Sequence, residues 1–156
     1  MKNITALITL LLLISLCACG GSQGSSEPDF APADLSARLL DGECFTDLMS
    51  EMDNAIAFEI YGIDSAKIES ASIYMGTGAT AEEIAVIKAK DSDSAKTVTE
   101  AMNSRVGAQI EAYKNYVPTE VPKLEEAIVR SAGNYVVYVT AADSGAAESI
   151  IGEYIK

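Results

Sequence analysis

The chain has 156 residues, 23 acidic against 11 basic side chains for a formal charge of −12, three cysteines and no histidine. A field of that sign repels nucleic acid and anionic lipid head groups, and the lack of histidine removes every Ser-His-Asp relay and every histidine-ligated zinc site. With a leader and a tether set aside, about 120 residues are left for one core, enough to bury about two thirds of the surface the unfolded chain exposes.

The leader comes first in chain order. Lys2 precedes an uncharged run, Ile4 to Leu16, which is too short for a bilayer core that takes about 20 apolar residues. One charge followed by such a run has the form of an export signal. It closes in Leu16-Cys17-Ala18-Cys19. A cut before Cys19 leaves the small Ala18 at the cleavage position and Leu16 two residues upstream of it, whereas a cut before Cys17 leaves Leu16 there. Leu-x-small-Cys resembles a bacterial lipobox. The resemblance implies a diacylglyceryl thioether on Cys19, loss of residues 1–18, and membrane anchoring through the lipid at the outer leaflet. Two acyl chains hold stably where one is marginal. The alternative is a secreted protein cut elsewhere.

Residues 19–33 then read as the lipidated cysteine and a tether. Gly/Ser followed by Pro-spaced residues is flexible, with an r.m.s. reach of roughly 20 Å. From Asp34 to Lys156 the chain reads as one domain. Leu35, Leu39 and Leu40 have helical spacing and stop at Asp41-Gly42. Phe45, Leu48, Met49 and Met52 repeat that spacing, and Asp53 caps a further run, Ile56 to Tyr61, that ends at Gly62, so this region reads as two or three short helices with room for an irregular turn between them.

The period then changes. Over Lys67 to Met75, Ala71, Ile73 and Met75 alternate with Ile68, Ser70, Ser72 and Tyr74, the pattern of a strand. Gly76-Thr77-Gly78-Ala79-Thr80 breaks it. Thr80-Ala81-Glu82-Glu83 resembles a helix capping box, but Ile84-Ala85-Val86-Ile87 is β-branched and short, so Glu82 to Lys90 is read as a strand paired with the previous one. Val98, Met102, Val106, Ile110, Tyr113 and Val117 make a continuous stripe on a helix from Ser92 that Pro118 ends. Lys96, Glu100, Arg105, Glu111 and Lys114 lie off that stripe, on a face read as solvated.

Pro122 to Glu126 connects to a strand at Ala127 to Ser131. Gly133-Asn134 turns the chain into a second strand, Tyr135 to Thr140, and a helix follows from Ser144 with Ala147, Ile150, Ile151, Tyr154 and Ile155 on one face. The expected fold class is α+β: an antiparallel four-stranded sheet of two hairpins with helices packed on it, in the order α-α-β-β-α-β-β-α. If Ala71, Ile73, Ala85 and Ile87 face the helices, then Ile68, Tyr74, Ile84 and Val86 form the other face. A face that apolar is a partner surface unless a helix from residues 34–61 covers it, and the covered case is expected.

The chemistry-bearing motifs are few. Gly76-Thr77-Gly78 lacks the lysine of a phosphate-binding loop. Glu82-Glu83 and Glu125-Glu126 are adjacent acids, and adjacent side chains on a strand point to opposite faces. Asp91-Ser92-Asp93 lacks the later ligands of a calcium loop and reads as a helix cap. Cys44 has neither a disulfide partner, once Cys19 is acylated, nor a histidine base, and reads as a small buried apolar group. No catalytic residue, metal ligand or cofactor is expected.

The run Met75 to Asp91, with Arg105, Gln109, Tyr116-Val117-Pro118, Leu124-Glu125 and Gly133-Asn134-Tyr135-Val136, resembles an uncharacterised domain-of-unknown-function family found in small lipoproteins of clostridia-type Gram-positive bacteria. The resemblance spans about Ala33 to Ile155. It implies one compact domain outside the cytoplasmic membrane and carries no catalytic residues. The expected role is therefore a noncatalytic binding or interaction domain at the cell envelope, its partner an envelope protein or wall component and not a nucleic acid. The alternative is a small envelope enzyme using carboxylates or Cys44.

Overall fold

Asp53, Asp91 and Asp143 each accept hydrogen bonds from the otherwise free amides of a helical first turn, and so set where three helices begin. Asp53 takes the Ala55 and Ile56 N–H groups, Asp91 that of Ser94 at 2.7 Å, and Asp143 that of Ala146 at 2.8 Å. The computed structural model describes residues 28–156; the leader, Cys19 and most of the tether lie outside them. Among the described residues no helix is long and apolar enough to cross a membrane.

The elements are helix α1 (Pro32–Asp41), strand β1 (Ser50–Glu51), α2 (Asn54–Tyr61), β2 (Ile68–Met75), β3 (Glu83–Ala89), α3 (Ser92–Tyr116), α4 (Val121–Glu125), β4 (Ile128–Ala132), β5 (Tyr135–Thr140) and α5 (Ser144–Tyr154). The fold is α+β, and its sheet is antiparallel, but it has five strands rather than four. The order is α-β-α-β-β-α-α-β-β-α. Both expected hairpins form, and β3 pairs with β5 to join them in the spatial order β1-β2-β3-β5-β4.

The added strand lies between the two expected helices, at the end of a run whose spacing is helical. Phe45, Leu48, Met49 and Met52 have helical spacing, yet Glu43 sits at φ 55°, and the Thr46 and Asp47 amides donate to the Glu82 carboxylate at 2.8 and 2.9 Å. Those amides are thus held by a distant side chain instead of a helical carbonyl. The chain runs on into β1, where Ser50 and Glu51 pair with Met75 and Tyr74. The second short helix forms as read: α2 stops at Gly62, whose φ of 68° is a left-handed C-terminal turn.

Both faces of the sheet are covered. On the first, Ile73, Ala85, Ile87, Val136 and Tyr138 pack with Phe58 and Tyr61 of α2 and with Val98 and Met102 of α3. On the second, Ile84, Val86, Tyr135, Val137 and Val139 pack with Leu35 and Leu39 of α1, Ile150 and Ile151 of α5, and Cys44. The four residues read as one face are covered, as expected, but they divide between the two faces. Ile84 and Val86 are fully buried and Tyr74 half-buried on the second face. Ile68 belongs to the first face, because a register shift between Ile68 and Ser70 inverts the alternation at the start of β2. Burial of the second face takes α5 as well as the helix from the 34–61 region.

Candidate functional site

The β2–β3 hairpin loop, residues 76–82, closes around a carboxylate of the chain itself. Asp47 accepts hydrogen bonds from the Thr77 amide at 2.9 Å, the Thr77 hydroxyl at 3.0 Å, the Thr80 hydroxyl at 2.8 Å and the Leu48 amide at 2.8 Å. The Thr80 hydroxyl and the other donors hold the Asp47 carboxyl below the usual carboxylate range. A Cβ at Gly76 would lie 2.6 Å from the Asp47 carboxylate, so the loop approaches this closely only with glycine there. The Gly-Thr-Gly turn thus cradles Asp47, and it is the hairpin loop that its glycines were read as.

Glu82, the last residue of the loop, and Glu83, the first of β3, diverge, and both are buried. Glu82 accepts from the Thr46 hydroxyl at 2.6 Å, the two amides named above and Lys123 at 2.9 Å. Burial alone would raise its pKa; the Thr46, Asp47 and Lys123 donors outweigh burial and hold it low. Lys123 also reaches Glu120 at 3.0 Å, and Glu120 accepts the Ala81 amide at 3.0 Å. Desolvation pulls the Lys123 pKa down, and the two carboxylates more than reverse that. This network fastens the Pro118–Glu120 turn and α4 to the hairpin.

On the other side, Glu83 accepts the Tyr61 phenol at 2.6 Å and Arg105 at 3.1 Å. Arg105 also lies 5.8 Å from the Tyr61 ring centre. Its side chain is 19% exposed, so the reading of Arg105 as solvated is corrected: the long side chain reaches from α3 back to the strand end. Burial, then the Glu83 charge, push the Tyr61 phenol far above its ordinary value. A buried acid inside the run Ala81–Ala89 was the available signal, since such a group needs a cationic partner.

Between these networks lies a cavity of about 220 Å³ whose walls include Gly78, Thr80, Glu83, Arg105, Gln109 and Tyr113. The Tyr113 hydroxyl donates to the Thr80 carbonyl at 2.6 Å and stiffens its rim. Leu48, which follows Asp47 in the chain, and Tyr116, edge-on to Tyr113 at 6.0 Å, are exposed. Met75, the loop, Arg105 and Gln109, all among the residues that carry the family resemblance, meet here. Residues 44–141, more than half of the chain, match DUF4358, a domain of unknown function. The chain belongs to that family. The DUF4358 match is narrower than the span read from sequence, starting at Cys44 and ending at Ala141, so it includes the cavity but neither α1 nor α5. Neither a curated protein nor a solved structure matches the chain.

Cys44 is fully buried, its thiol 3.5 Å from the Gly42 carbonyl. Burial, reinforced by Asp143, pushes its pKa up, away from the thiolate a nucleophile needs. Among the described residues no group of three or more His, Cys, Asp or Glu is placed to hold a metal ion, and no buried side-chain polar atom lacks a hydrogen-bond partner.

Proposed function

We propose that this DUF4358 protein is a lipid-anchored, extracytoplasmic binding protein. Cys19 carries the lipid at the outer leaflet of the cell membrane, and the domain engages an envelope protein or wall component without catalysis. The observation that carries the noncatalytic part is the pairing of the ionisable groups round the cavity. Glu82, Glu83, Glu120, Arg105 and Lys123 are bound to one another or to amides and hydroxyls, leaving none poised as a base beside a nucleophile. Such groups make a rigid, polar recess suited to recognition. The anchor rests on the Leu16-Cys17-Ala18-Cys19 pattern.

A photoreactive amino acid at position 109, in the full chain in its native membranes, tests the binding reading. Crosslinks to an envelope component are expected there and not from the exposed position 149 on α5; equal crosslinking from both sites would overturn it. Metabolic labelling with a fatty-acid probe tests the anchor: the label should vanish in Cys19→Ala, and label that survives would place the lipid elsewhere. The Cys44 form of the enzyme alternative gains only if native Cys44 reacts with a maleimide, which its burial opposes.

A further inference from the structure

The chain arrives at the domain through an aromatic socket. Phe30 stacks on Tyr135 with ring centres 4.3 Å apart and 23° between planes, and meets Tyr154 edge-on at 5.0 Å. The Phe30 backbone is held as well: its N–H donates to the Tyr135 hydroxyl at 3.2 Å, and that hydroxyl donates to the Phe30 carbonyl at 2.7 Å. A side chain and both backbone polar groups of one residue are thus fixed just before α1 begins at Pro32.

The socket sits at one end of the sheet. Tyr135 pairs with Lys88 and Ala132, at the start of β5, while Thr140 at its other end pairs with Glu83. Glu83 is the wall of the cavity, and the 76–82 loop lies beyond it. Socket and cavity are therefore separated by the length of β3, about 20 Å at about 3.3 Å per residue. Ten residues stand between Cys19 and Phe30, and even fully extended that stretch spans no more than about 40 Å.

We infer that the Phe30 socket orients the anchored protein: the Tyr135–Tyr154 end of the domain faces the bilayer, and the Arg105–Gln109 cavity faces away from it. This rests on the Cys19 anchor proposed above. It gives the cavity a partner reached from the aqueous or wall side and not one within the membrane plane.

The test uses the full lipidated chain in phosphatidylcholine vesicles whose head groups carry an energy-transfer acceptor. A donor dye is placed at Ser65→Cys, near the socket end, or at Ala79→Cys in the loop; both positions are exposed, and buried Cys44 stays unlabelled. Transfer from position 65 is expected to exceed that from position 79 by at least about twofold, given the ~20 Å of strand between the two ends. Phe30→Ala should bring the two values together without loss of helical circular dichroism. Equal transfer in the chain with Phe30 intact would overturn the inference, as would a difference that survives in folded Phe30→Ala. Failure of the protein to float with the vesicles would instead overturn the anchor itself, and the orientation with it.

Discussion

The two faces of the sheet are alike in composition and unlike in origin. The α2/α3 face is covered by helices that lie inside the DUF4358 match and includes, at one end, the Glu83–Arg105–Tyr61 cluster. The α1/α5 face is covered by the first and last helices of the described chain, both outside the match, and its buried side chains are almost wholly apolar, with Ser36 bonded to the Pro32 carbonyl. Strand β3 belongs to both, and all but one of its residues are buried. A strand buried on both sides must be closed from both sides. The matched segment therefore depends for its packing on terminal helices that carry no part of the cavity.

The strongest way to break that conclusion is to remove the terminal helices. A chain of residues 44–141 alone would expose Ile84, Val86, Val137 and Val139, and it is expected to lose cooperative unfolding and bind a hydrophobic dye. A sharp thermal transition in that fragment would show the second face to be dispensable. Next in size, Glu83→Ala leaves Arg105 charged, mostly buried and without its carboxylate, at about 3 to 5 kcal/mol in urea unfolding. Glu83→Leu with Arg105→Met should recover most of that loss, since replacing a buried pair whole is often nearly neutral. If the double variant is as unstable as the single, the pair does more than compensate itself.

Leu39→Ala on the second face and Met102→Ala on the first sharpen the comparison further. Each empties a fully buried site and should cost about 2 to 5 kcal/mol. A value for Leu39→Ala near zero would demote α1 to decoration. The smallest effect is in acid. Asp47 and Glu82 are held below the usual carboxylate range, so their unfolded forms bind protons first. Their contribution is complete above an unfolded pKa of about 4 and fades as pH falls through that value toward the lower folded ones. The unfolding midpoint should drop below about pH 4, and Asp47→Asn should flatten that limb.

Elements whose cause is local were legible in the sequence. The stripe from Val98 to Val117, the Pro118 stop, the aspartate caps and the alternation of Tyr135 to Thr140 all act within a few residues, and α3 and β5 lie where those signals put them. Three features failed for one reason, that their cause is distant in sequence. The helical spacing of Phe45 to Met52 loses to Glu82, which takes the Thr46 and Asp47 amides across more than thirty residues. The off-stripe position of Arg105 loses to the reach of its side chain toward Glu83. The alternation at Ile68 loses to a bulge in a hairpin whose partner strand begins fifteen residues on. For the site, the sequence marked the loop and the acids; the arginine's role and the Asp47 cradle needed the fold.

Strand β1 has a consequence for crowding. An open strand is a template on which another chain can build, and proteins held together on a surface meet at high local density. Here β2 is shielded on its outer side by only two residues of β1, but the ladder does not end there. The Met52 amide donates to the Ile73 carbonyl at 2.9 Å, and the Asn54 side chain, just inside α2, donates to the Ala71 carbonyl at 3.2 Å. One backbone amide and one carboxamide thus occupy the next acceptors along the strand, and the chain then turns into a helix that offers no edge. Neighbouring copies find little free ladder on that side, and a polar residue at the start of a short helix is part of the reason.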